Sequence, residues 1–207
     1  MDKSVLMSLQ PEWGVKVCNQ IGERNGKPLY EKRIEVRKSV PKLKRPFKVY
    51  IYITMPKRYF TISGYGRASN EYLWLSDGKV KMSDGFEFWG NGAKYECLNG
   101  KVIGEFMCRG IMDGGSSLLP KESCLTIEEI LNYAKGKRVY GWRIADLKIY
   151  DKPKELSEFK RWNRTEENAP CAHTKWLFPD CKDCKECNLT RPPQSWCYVE
   201  ELKGETI

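Results

Sequence analysis

Residues 30–53 read YEKRIEVRKSVPKLKRPFKVYIYI, and the reading of this stretch decides the fold. Phe47–Ile53 is aromatic and β-branched with no turn former, the composition of a buried strand. Ile34–Arg37 reads as a second strand. Ile34 and Val36 point one way along it and Glu35 and Arg37 the other, because strand side chains alternate. Pro41 and Pro46 hold the linker between the two strands as an extended loop. The same piece carries Lys32, Arg33, Arg37, Lys38, Lys42, Lys44, Arg45 and Lys48 against two acids, Glu31 and Glu35. The expectation is a core-facing apolar edge with a charged face beside a basic run. The plain alternative is a solvated ladder of ion pairs on an edge strand, each worth about 0–1 kcal/mol.

The charge is local. Residues 1–60 hold 14 basic and 5 acidic side chains, and that surplus of nine is the whole net charge of +9. A localised basic surface attracts polyanions and binds phosphate backbones in a salt-dependent way, so nucleic acid is the first partner class. A membrane surface fits less well, since no long basic amphipathic helix and no long apolar run are evident. The start, MDKSVLMSLQ, lacks the apolar segment of a signal peptide. A soluble, cytoplasmic, monomeric protein is expected. With 207 residues, 41% hydrophobic and 12% aromatic, the chain has material for one domain with insertions.

Ser4–Leu9 reads as a first strand, and PEWGVKVCNQI as a helix opening at Pro11. From Pro56 to Asn99, turn signals at SDGK (76–79), SDGF (83–86), GNG (90–92) and NG (99–100) predict β-hairpins. Lys101–Cys108 is another strand. TIEEILNYAKG predicts a helix with Thr126 as its N-cap, Glu129 completing a capping box and Gly136 as the stop. Tyr140–Ile144 and Asp146–Tyr150 read as two short extended segments around a buried Trp142, residues 151–170 as a linker, and RPPQSWCYVEEL as a closing strand. Strands outnumber the two short helices, which predicts an α+β fold: a small mixed β-barrel with helices at its openings.

SLQPEW, EKRIEVRKSVPK, FKVYIYIT, GKVIGEF, YGWRIADLKIYDKPKELSEF and RPPQSWCYVEEL, in this order, resemble the ASCH domain, most of all the version in small phage and prophage proteins. ASCH domains are similar to the PUA domains of RNA-modifying enzymes. The resemblance implies one ASCH (PUA-like) domain over residues 1–207, with a β-hairpin insertion at about 54–100 and a Cys/His-rich insertion at about 161–190. The family signature Gly-x-Lys-x-x-Glu-x-Arg falls on Tyr30, Lys32, Glu35 and Arg37, so its glycine is replaced by Tyr30. The resemblance implies a cleft that faces nucleic acid, with RNA, single-stranded nucleic acid or a modified nucleotide as partner. Lys32, Arg33, Glu35, Arg37, Lys38, Lys42, Lys44 and Arg45 are the expected contacts, with Lys48 at the end of the rim. Trp13 or Trp196 is expected to line a pocket, with Gln194 and Ser195 as polar readers, whereas Trp142 is expected in the core.

As a binding set, Arg37 and Lys32 would hold phosphate while Glu35 accepts from a base amine or a 2′-hydroxyl. As a catalytic set, Lys32 would act as base or nucleophile and Glu35 would shuttle a proton. Some small ASCH proteins are amidohydrolases of N4-acetylcytidine that use a Lys, a Thr and a Glu. The Thr stands where this chain has Glu35, and Glu122 is a candidate third acid. A hydrolase acting on a modified base or on RNA is therefore the alternative to a binding module. A third reading is a phage protein that modulates a host factor.

Cys18, Cys97, Cys108, Cys124 and Cys197 are scattered, as small buried hydrophobes are. Cys171, His173, Cys181, Cys184 and Cys187 instead form C-A-H-x7-C-x2-C-x2-C in a segment too polar for a core. Four of the five would hold a structural zinc. An iron–sulfur cluster and metal-free thiols or a disulfide are the alternatives.

Overall fold

The computed structural model describes residues 2–55, 61–62, 65–66, 73–76, 79–82, 96–162 and 188–202. Their elements are, in chain order, β1 (Lys3–Leu9), α1 (Pro11–Cys18), β2 (Gln20–Arg24), β3 (Lys27–Tyr30), β4 (Ile34–Arg37), β5 (Phe47–Ile53), β6 (Thr61–Ile62) and β7 (Tyr65–Gly66). There follow β8 (Leu73–Ser76), β9 (Lys79–Met82), β10 (Glu96–Cys97), β11 (Lys101–Asp113), α2 (Leu118–Ser123), α3 (Ile127–Ala134), β12 (Tyr140–Glu155) and β13 (Trp196–Glu200), with one 3-10 turn at Leu156–Glu158. The Cys/His cluster lies outside the described residues, as do the turns at SDGF and GNG.

One six-stranded sheet carries the molecule, in the order β13-β1-β5-β11-β12-β4. Only the β1–β5 pair is parallel; the other pairs are antiparallel. The sheet curls into a half-barrel, so the fold is α+β as expected. Alternation then sorts the apolar residues. Met7, Ile51, Phe106 and Trp142 fill the concave side, while Leu6, Tyr50 and Val199 meet Leu156, Phe159 and Leu189 outside. β5 is buried on both faces, as its unbroken apolar run requires. Helix α1 crosses one end of the half-barrel with the small sheet β10-β8-β9 beside it.

The described residues hold three helices, not two, because α2 forms a turn before the Thr126 cap. The first helix ends at Cys18, and a β2–β3 hairpin follows, turning at Asn25 and Gly26 with both φ positive. β11 runs on to Asp113 beyond the expected end at Cys108. β12 is one strand over Tyr140–Glu155 where two segments and the start of a linker were expected. A shift in its register with β11 lets it bend and continue: Asp146 takes φ 50 there, and its carboxylate accepts from Arg109 Nη2 at 2.6 Å. Gly104 sits at a second shift, and a Cβ there would run into the Lys148 carbonyl.

The charged face of β4 is the main departure. Ile34 and Val36 pack against Leu119, Ile130 and Ala134 of α2 and α3, on the outside of the sheet. Glu35 and Arg37 therefore point into the half-barrel. Lys32, Glu35 and Arg37 are 2%, 5% and 8% exposed, which excludes a solvated ladder. The alternation was sound; the side that faces water was not, since two helices cover the apolar one.

Candidate functional site

The two end strands of the curled sheet, β13 and β4, share no backbone ladder. Side chains bridge them instead. Arg37 Nη2 donates to the Ser8 carbonyl at 2.8 Å, Trp196 Nε1 donates to Ser39 Oγ at 3.1 Å, and the Lys42 amide donates to the Tyr198 hydroxyl at 2.7 Å. Ser8 in turn donates to the Pro193 carbonyl and its amide to the Ser195 carbonyl. The seam thus collects Arg37, Ser195 and Trp196 from distant parts of the chain. Gln194 lies beside them, exposed.

Just inside the seam sits the signature. Glu35 lies between the two cations, with Arg37 Nη2 3.1 Å from Oε1 and Lys32 Nζ 3.4 Å from Oε2. Lys32 Nζ also donates to the Ser123 carbonyl at the end of α2, at 2.6 Å, and lies 4.9 Å from the Trp13 ring centroid. Two cations and one carboxylate leave a buried surplus of one positive charge. Glu35 Oε2, Arg37 Nε and Trp142 Nε1 are buried and have no hydrogen-bond partner among the described residues. Trp142 faces Glu35 across the β4–β12 ladder, so these three atoms belong to one face of the sheet. Buried polar atoms are nearly always satisfied, and such a cluster asks for a partner beyond the described residues.

The basic run divides in two. Arg33 is 3.5 Å from Glu122, Lys48 is 2.7 Å from Glu201 and 3.7 Å from Glu105, and Lys32 and Arg37 share Glu35. All four cations are thus ion-paired, and Lys48 leaves the expected rim for the outer face of β5. Lys42, Lys44 and Arg45 are exposed and have no ion pair among the described residues. Lys38 is half-buried over the Tyr133 ring. Glu122 does lie next to the signature, since its carbonyl accepts from the Arg33 amide.

Beside this loop a cavity of about 360 Å³ is lined by Val40, Leu43, Arg45, Phe47, Arg138 and Tyr140, with Ile111 and Asp113 across it. Tyr140 is the ladder partner of Arg37, so the cavity lies one strand away from the signature, whose own residues do not line it. Its aromatics are Phe47 and Tyr140, not Trp13 or Trp196. Trp13 lies between the ammonium groups of Lys16 and Lys32, and Trp196 packs on Trp142 and Tyr198. Trp142 is fully buried, in the core as expected. Arg138 and Asp113 were missed by sequence reasoning; the available signal was a cation two residues ahead of an aromatic at the start of a strand.

The described cysteines are poor nucleophiles. Burial pushes the thiols of Cys18 and Cys108 up to about 12 and about 11, and Cys124 is raised by burial despite the pull of Lys32. No group of three or more His, Cys, Asp and Glu among the described residues is placed to hold a metal ion. No helix among them is long and apolar enough to cross a membrane.

Fold and site together define an α+β half-barrel protein with a buried Lys–Glu–Arg triad at its seam. The chain is similar to solved structures of the ASCH protein from Zymomonas mobilis. That protein matches at 15% identity, TM-score 0.48, over 96% of this chain and 88% of its own. Two single-residue mutants of it match at 16% identity: one with TM-score 0.49 over 96% and 89%, the other with 0.44 over 75% and 77%. No family model and no curated protein matches the sequence.

Proposed function

We propose that the chain is an ASCH-type module that binds RNA, single-stranded nucleic acid or a modified nucleotide at the seam. One observation carries this reading: the unpaired cations Lys42, Lys44 and Arg45 sit on one loop beside a cavity whose Tyr140 is the ladder partner of Arg37 in the buried triad. The loop meets phosphates, and the orphaned acceptor of Glu35 and donors of Arg37 and Trp142 suit a base edge with an N–H and acceptor atoms. The triple variant Lys42→Ala/Lys44→Ala/Arg45→Ala tests it by fluorescence anisotropy with labelled oligonucleotides over a salt series. Affinity should fall across all sequences, and the slope of log K against log salt should lose about 2 units for three lost single-strand contacts. Wild-type binding without salt dependence, or unchanged in the variant, sinks the proposal.

The pairing of Lys32 with Glu35 favours a second reading, a hydrolase acting on a modified base or on RNA. Lys32→Arg keeps the charge and separates the two: binding survives it, while chemistry that uses the amine does not. The spacing of Cys171, His173, Cys181, Cys184 and Cys187 supports a structural zinc as part of the same proposal, with an iron–sulfur cluster as alternative. Elemental analysis of the purified chain, repeated on Cys181→Ser/Cys184→Ser, decides it: one equivalent of zinc should be lost in the variant.

A further inference from the structure

Arg138 and Tyr140 form a stack that neither the triad nor the basic loop explains. The Arg138 guanidinium carbon lies 5.4 Å from the Tyr140 ring centroid. Asp113, which faces Tyr140 in the β11–β12 ladder, holds Arg138 there through a charge-assisted hydrogen bond. The carboxyl of Asp113 is pulled below the usual carboxylate range, first of all by that bond. Arg138 is nevertheless two-thirds exposed, so a planar cation is fixed on an aromatic ring at the mouth of the cavity with its outer surface free. Across the cavity, Val40, Pro41 and Leu43 supply apolar contact and Arg45 an unpaired charge.

We infer that this cavity is a stacking subsite for a second base in a single strand, next to the base held at the triad; the inference rests on the function proposed above. Bases stack on guanidinium planes and aromatic rings alike. A pre-positioned plane loses little freedom when a base settles on it. A volume of about 360 Å³ is at the small end of ligand cavities, about 300–1,000 Å³, and takes one base with its sugar rather than a duplex. Lys42, Lys44 and Arg45 on the facing loop select a phosphate chain as the occupant. Because Tyr140 and Arg37 are opposed in neighbouring strands, the two bases would be adjacent in the strand.

The test is an abasic scan. A labelled six-nucleotide RNA and the same DNA sequence, each with one position at a time made abasic, are titrated into the wild-type chain and into Arg138→Lys and Tyr140→Leu. Both variants change exposed or half-exposed side chains, and Arg138→Lys keeps the charge. In the wild type, two neighbouring positions should each lose about tenfold in affinity when abasic, the lower part of the range for stacking on an aromatic. In either variant one of the two should become insensitive while the other stays sensitive. A single sensitive position, or two that persist in Arg138→Lys and Tyr140→Leu, overturns the subsite and leaves the binding module standing. Absence of binding to every oligonucleotide overturns both. A hexaglutamate peptide that competes as well as the oligonucleotide also overturns the subsite, because it would show an acidic protein segment as occupant.

Discussion

Glu35 stands between Lys32 and Arg37 where water does not reach, so its removal leaves two cations facing each other without a carboxylate. Breaking a buried pair in this way costs about 3–5 kcal/mol. Glu35→Ala should lower stability by about that amount in urea denaturation, a loss close to zero showing that the triad is solvated. Replacing the whole triad, as Lys32→Met/Glu35→Leu/Arg37→Met, removes the desolvation cost together with the attraction and should cost less than Glu35→Ala, the remaining loss coming from the Ser123 and Ser8 carbonyls that lose their donors. The same triple variant should lose nucleotide binding; if it still binds, the triad only holds the seam. Gly141 makes a steric counterpart on the other face of the ladder. A Cβ there would come within 2.6 Å of Leu119 Cδ1 and 2.7 Å of Ile34 Cγ2. Gly141→Ala should therefore cost about 1–3 kcal/mol through overpacking between β12 and α2.

Helix α3 shows what is local enough to be read from sequence. Thr126 Oγ1 accepts from the Glu129 amide at 3.1 Å, and Glu129 Oε2 accepts from the Thr126 amide at 2.7 Å, the capping box that TIEE predicts. Thr126→Ala should cost about 1 kcal/mol in a thermal melt. The bond from the Thr126 amide holds the Glu129 carboxyl below its usual 4.5, so the stability it gives is complete above that pH and drains away as the pH falls through the lowered value. The stability difference between wild type and Glu129→Gln should accordingly narrow as acid denaturation is approached. β1, β4, β5 and β13 were legible for the same reason, since composition and alternation are properties of a short segment. Which face of β4 looks outward was not. That depends on α2 and α3, whose chain positions lie some 80 residues further on. The continuity of β12 was hidden by Asp146, which reads as a break in a strand but sits at a shift in register. Lys32, Glu35 and Arg37 were found as a group by the signature, whereas the pairing of Arg33 and Lys48 with distant acids could be seen only in three dimensions.

At the scale of the molecule, the half-barrel is joined at its seam by the side chains of Arg37, Ser39, Trp196 and Tyr198 and the backbone groups of Ser8 and Lys42. A chain ending at residue 195 keeps the whole basic run and the whole signature. It should still lose nucleotide binding and cooperative melting, because β13 both covers β1 and anchors the loop through Tyr198. Binding by the truncated chain at wild-type strength would show that the loop works without its anchor. The pairing of Lys3 with Glu200 also has a meaning in time. During synthesis β1 is made well over a hundred residues before its partner β13 and waits, with Val5, Leu6 and Met7 uncovered on one edge, until residue 200 has followed it. Contacts so distant in the chain are made late and slowly, and an uncovered strand edge invites pairing with other chains in the interval. The loop proposed to meet phosphate would thus be fastened only once β13 has been made, so that chains still lacking β13 are poor competitors for the ligand of those that have it.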